Sequence, residues 1–166
     1  MSLFRNLLQL IDPQAGKRKA STIEAELDTA LETSHHALLY AEVLLMLEIA
    51  FADDHLCEAE VLVIKQLLQT EYGLSTSETN EILTRGRDLY SQLTSSFKVT
   101  RHINDHASYD QKLNTLEKIW HVCFADGEMD SLEEARVRQL SELLYVRHVD
   151  YIRLRNEVKQ ASESRH

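Results

Sequence analysis

Apolar residues recur along most of this chain at spacings of three and four, and the pattern predicts a succession of helices. Leu3, Phe4, Leu7, Leu8 and Ile11 make one such stripe, so Leu3–Ile11 reads as a short amphipathic helix that Asp12-Pro13 ends. Gln14 to Ala20, with Gly16 and Lys17-Arg18-Lys19, reads as a linker. Ser21 to Ala52 holds one or two helices, and Leu38 to Phe51 is apolar on nearly every side, as in a central buried helix. After Asp53-Asp54, the positions Leu56, Val61, Ile64, Leu67 and Leu68 carry a further helix to Tyr72-Gly73, where glycine marks the stop. Ser75 and Glu78 form a capping-box pair that opens the next helix, with Ile82, Leu83, Leu89, Tyr90 and Leu93 on its inner face. Ser95 to His106 shows a less regular pattern. Leu113, Leu116, Trp120 and Cys123 then mark a helix ending at Ala125, Leu132, Val137, Leu140 and Leu144 the next, and Val149 to Val158 a final basic helix.

Part of this pattern occurs twice. Phe51-Ala52-Asp53 aligns with Phe124-Ala125-Asp126. Upstream, Met46, Leu47, Ile49 and Ala50 align with Ile119, Trp120, Val122 and Cys123; downstream, Leu56, Glu60, Gln66, Leu67 and Tyr72 align with Met129, Glu133, Gln139, Leu140 and Tyr145. The unit repeated is helix, acidic loop, helix, and two copies are expected to pack pseudo-symmetrically around one core. Chance similarity of amphipathic patterns does not account for the shared Phe-Ala-Asp or for a Glu at the same distance beyond it.

Composition agrees with an all-helical bundle. The 166 residues include only one Pro and four Gly, with 43% hydrophobic and 27% charged residues. The domain division expected is 1–20 as amphipathic helix plus linker and 21–166 as the helical domain. A net charge of −9 argues against nucleic acid as a partner, since phosphate binding needs clustered cations. Two cysteines, Cys57 and Cys123, make no disulfide framework. Met1 to Ile11 has no signal-peptide pattern, and Ala37 to Ala52 is too short and too charged for a membrane span. A cytoplasmic protein is the expectation. For Leu3–Ile11 itself, docking on the domain is preferred over contact with a membrane surface or partner.

The acidic loops are where chemistry can lie. From Asp126 to Glu134 five of nine residues are acids. An EF-hand loop places ligands at positions 1, 3, 5, 7, 9 and 12, glycine at 6 and an apolar residue at 8. With Asp126 at position 5, Gly127, Glu128, Met129, Asp130 and Glu133 fall at 6, 7, 8, 9 and 12, but Val122 and Phe124 occupy 1 and 3. The loop is half an EF-hand, able to hold Ca²⁺ or Mg²⁺ weakly if other oxygens join it. The first copy keeps Asp53, Asp54 and Glu60 and replaces two acids with His55 and Cys57. Helix capping accounts for the same residues: Asp130 and Glu133 form a capping box, Asp126-Gly127 a turn, and acids offset the helix dipole. Caps alone, and caps with a cation site, both stay open. Zinc is disfavoured, because His55 and Cys57 supply two ligands of the four a structural site needs. No phosphate loop or catalytic cysteine motif occurs, and Glu32 with His35 is only one of the two Glu-x-x-His motifs of a di-iron bundle.

Ala125-Asp126-Gly127 with Glu133, the degraded copy Ala52-Asp53-Asp54 with Glu60, and the intervening "FKVTRHINDHASYDQKLNTLEKIW" resemble the tellurite-resistance protein B (TerB) family, from about Leu38 to Val158. The first copy departs in having Asp54 where the family has Gly. The resemblance implies an all-helical fold, acidic loops associated with divalent cations, and no catalytic activity. Related domains occur beside a J-domain in a membrane-tethered co-chaperone and in stress-response systems. The expected function is a non-enzymatic, divalent-cation-responsive adaptor in a bacterial stress pathway, with an unidentified protein partner. The metal ligands expected are Asp126, Glu128, Asp130 and Glu133, then Asp53, Asp54 and Glu60. The alternatives are an interaction domain whose acidic loops only cap helices, or a metal-dependent hydrolase.

Overall fold

The structure, a computed structural model, describes residues 37–51, 57–90, 96–125, 127 and 129–164. The expected helix Leu3–Ile11, its linker and the boundary at residue 20 lie outside these residues. Seven α-helices are present among the described residues: α1 Ala37–Ala50, α2 Glu58–Thr70, α3 Thr76–Tyr90, α4 Phe97–His106, α5 Tyr109–Cys123, α6 Ser131–Leu143 and α7 His148–Glu163. No strand occurs among the described residues, and no helix there is long and apolar enough to cross a membrane. The fold is all-α.

Helix α1 is central because its sequence leaves it no polar face. Ala41, Val43 to Leu47, Ile49 and Ala50 are all buried. Helix α5 lies against it, and between them these two touch every other described helix. Of the segments aligned in sequence, α1 meets α3 and α6 and α5 meets α7 and α2, whereas α2 packs on α3 and α6 makes no comparable contact with α7. Helices α2 and α6 begin and end at aligned residues, and Glu60, Ile64 and Leu68 on one correspond to Glu133, Val137 and Ser141 on the other, all buried. The correspondence runs on into a third helix. Thr79 and Ile82 of α3 and Tyr151 and Leu154 of α7 are buried at the same places from their helix starts.

The turns before these third helices obey one rule with different residues. Gly73 closes the first with φ +65° and Tyr145 the second with φ +57°. Both adopt the left-handed conformation that redirects the chain after a helix, at low cost for glycine and with strain for tyrosine. The following apolar residue is tucked in each time: Leu74 N–H donates to the Leu68 carbonyl (3.2 Å) and Val146 N–H to that of Ser141 (2.9 Å).

Ser95–His106, irregular by sequence, contains the complete helix α4. Only Val99, Thr100 and Ile103 are buried, a stripe too narrow to stand out in ten residues. Tertiary contacts hold it: it packs on α1 and α6, and Asn104 Nδ2 donates to the last-turn carbonyl of Leu143 (2.7 Å) while its Oδ1 accepts from Lys112 Nζ (2.7 Å).

A polar tie joins α5 to α7. Asp150, 8% exposed, accepts from Tyr109 Oη at 2.7 Å and from Arg147 Nε at 2.8 Å. The Tyr109 bond, followed by Arg147 and Arg153, outweighs burial and holds the Asp150 carboxyl below the ordinary aspartate value. A folded-state pKa lowered in this way contributes stability above the unfolded pKa, and that contribution is lost as pH falls through the folded value. Urea melts of wild type and Asp150→Asn between roughly pH 5 and 2.5 should therefore differ in slope, with the variant losing less stability on acidification. Identical slopes would show that the tie adds nothing.

Candidate functional site

Four helices start on a reciprocal cap, and two of these starts are the acidic turns. Ser75 with Glu78 opens α3 as the sequence predicts (Ser75 N–H to Glu78 Oε2, 2.8 Å; Glu78 N–H to Ser75 Oγ, 3.3 Å). Ser108 with Gln111 opens α5 by the same pair of bonds. At the second acidic turn Asp130 Oδ1 accepts from Leu132 N–H (2.6 Å), and Glu133 Oε2 accepts from Asp130 N–H (3.3 Å). At the first, Cys57 stands at the N-cap and Glu60 Oε2 accepts its N–H (2.9 Å). Carboxylates here satisfy amides that have no partner within the helix and sit at the positive end of its dipole.

Of the expected ligands, Asp53, Asp54, Asp126 and Glu128 lie outside the described residues. The other three divide by burial. Asp130 is exposed, whereas Glu60 and Glu133 are 5% and 7% exposed. These two glutamates, far apart in sequence, have a common neighbour in Cys123 at the end of α5. Burial first, then the charges of Glu133 and Glu60, push the Cys123 thiol well above its ordinary pKa. The charges at the starts of α2 and α6 thus act on the same thiol. Gly127, in the turn between α5 and α6, has φ +84°, a backbone that side-chain-bearing residues rarely adopt, and its N–H donates to the Phe124 carbonyl at 3.2 Å. Met129 packs partly buried against the core, as an apolar position after the glycine should. Among the described residues no three His, Cys, Asp or Glu side chains are arranged to hold a metal ion.

A second polar cluster escaped the sequence reading. Glu42 on α1 accepts from Thr115 Oγ1 (2.8 Å), Lys118 Nζ (2.9 Å) and Tyr72 Oη (3.0 Å). Lys118 also pairs with Glu71 (2.7 Å) and stands 5.5 Å from the Tyr72 ring centre. Burial alone would lower the Lys118 pKa, but the bonds to Glu71 and Glu42 and their charges hold it above the ordinary lysine value. Burial, then Glu42 and Glu71, raise the Tyr72 phenol too. The signal in the sequence was Glu42 inside the most apolar run, a position that demands a partner. Which partner could be read only from space, since Lys118 comes from the other half of the chain.

An all-α bundle in which a central apolar helix is packed by its neighbours, two of them started by buried glutamates, is the class of protein these observations define. The profile of the family described as tellurite resistance protein TerB matches residues 39–156. This chain belongs to that family. No curated protein and no solved structure matches it.

Proposed function

We propose that this chain is a non-enzymatic binding module whose second acidic turn takes Ca²⁺ or Mg²⁺ weakly, and that it serves as an adaptor in a bacterial, cytoplasmic, tellurite-resistance-like stress response. The observation that supports this reading is the placement of Glu60 and Glu133. Each is buried and holds the start of its helix, and the charge of each acts on the same Cys123 thiol, so the two acidic turns are electrostatically linked through the core. Hard oxygen ligands in that turn suit a divalent cation. The second reading is caps alone, and the capping bonds of Asp130 and Glu133 favour it directly. Against a hydrolase, those two acids are engaged in starting α6 and present no nucleophile and base pair to a substrate.

Calcium, magnesium and manganese titrations distinguish the two readings, with melting temperature and Trp120 fluorescence as readouts. For affinities of about 10⁻⁴–10⁻³ M, an ion near 10 mM should add about 1.4–2.7 kcal/mol. Asp126→Asn and Glu133→Gln should remove that gain. Gln can still accept the N-cap amide, so Glu133→Gln tests charge apart from capping. Asp130→Ala should cost about 0.5–2 kcal/mol without any ion, as loss of a cap does. If no ion raises stability at millimolar concentration, or if both charge-removing variants respond as wild type does, the turns are caps only.

A further inference from the structure

A groove of about 460 Å³ runs between α2, α5 and α7. The walls are strips of α2, of the end of α5 with the turn after it, and of α7: Val63 and Leu67 from α2, Phe124 just past α5, and Val158 and Ala161 from α7 are the main apolar members. Phe124 and Val158 form its buried floor, while Ala161 stands exposed at its edge. Three helical walls around an apolar floor make the shape that accepts one amphipathic helix. We propose that the occupant is the chain's own segment Leu3–Ile11, inserted as a helix.

Size, reach and charge all point to that segment. Nine residues of helix span about 13 Å, and the strip from Val63 to Thr70 on α2 spans about 10 Å, so the two match in length. Leu3, Phe4, Leu7, Leu8 and Ile11 supply the single apolar face that such a groove can cover. The residues from Asp12 to Ser21 alone can reach roughly 33 Å when extended, about the width of a domain of this size. The groove is lined by the closing turns of its helices, and α2 and α7 carry no basic residue in their last turn to offset the negative end of the dipole. Residues 1–20 bring Arg5, Lys17, Arg18 and Lys19 against the single acid Asp12, in a chain whose net charge is −9. Arg5 on the segment, and Lys17 to Lys19 in the linker that follows it, bring positive charge toward helix ends that are uncompensated or weakly compensated. A membrane surface would use the same apolar stripe but gives no reason for a helix-sized groove on the domain.

Thiol reactivity in the full-length chain tests this. Cys57→Ser removes the half-exposed native thiol and leaves a good N-cap. A cysteine is then placed at Leu7, on the stripe, or at Gln9, on the opposite face of the same helix. With the segment docked, the thiol at position 7 should react with iodoacetamide roughly tenfold or more slowly than that at position 9, because it reacts only from an opened state. Adding Ala161→Lys, which puts a positive charge at an exposed position on the groove's edge against the segment's own Arg5, should bring the two rates together. Four results would overturn the proposal. These are equal rates from the start, protection that survives Ala161→Lys, protection that disappears on dilution and so belongs to a second copy, and protection that arises only with phosphatidylglycerol vesicles present.

Discussion

Lys118→Ala is expected to lower the unfolding free energy by about 3–5 kcal/mol, the usual cost of removing one member of a buried ion pair. The Lys118 and Glu42 side chains are 10% and 15% exposed, so water reaches neither well. Without the ammonium, Glu42 keeps hydrogen bonds from Thr115 and Tyr72 but no cation, and a buried carboxylate with no counter-charge either takes up a proton or pulls the helices apart. Lys118→Met should cost less per atom lost, since it restores the packed stem. The pair Glu42→Gln with Lys118→Met should recover part of the loss, because the uncompensated charge has gone. Chemical denaturation of the four proteins at neutral pH checks the ordering. If the double variant is no more stable than Lys118→Ala, hydrogen bonding rather than charge holds the cluster.

Trp120→Ala should cost a similar amount, about 3–5 kcal/mol, through cavity formation. Trp120 is fully buried, with Phe124 and Tyr151 rings at 5.6 and 5.3 Å between centroids. It therefore joins the turn after α5 to α7, and its loss removes a wall from both. Trp120→Phe should cost less than half as much. The indole Nε1 makes no hydrogen bond among the described residues, so phenylalanine gives up volume but no polar contact. Thermal melts followed by circular dichroism measure both. A Trp120→Phe variant as unstable as Trp120→Ala would mean that Nε1 has a partner, such as a buried water.

The candidate site was partly legible in the chain for local reasons. A capping box joins residues three apart, so Asp130 with Glu133 and Ser75 with Glu78 could be read directly, and Gly127 announced its own left-handed turn. Two caps were missed. Cys57 is not a residue one expects at an N-cap, and Ser108 with Gln111 follows α4, whose narrow stripe concealed that a helix had ended there. Burial of Glu60 and Glu133 could not be read at all, because a glutamate at a helix start is ordinarily solvated.

By itself the amino-acid sequence determined the helical class, the positions of most helices, the doubled acidic turn and the capping chemistry, all of which depend on residues within one or two turns of each other. The tertiary structure alone decided three things. It placed Glu42 against Lys118, buried Glu60 and Glu133 where both charges act on the thiol of Cys123, and opened a groove between the ends of α2, α5 and α7. Each of these joins segments distant along the chain. The apolar period of a helix says which face turns inward, but it does not say which other helix that face will meet.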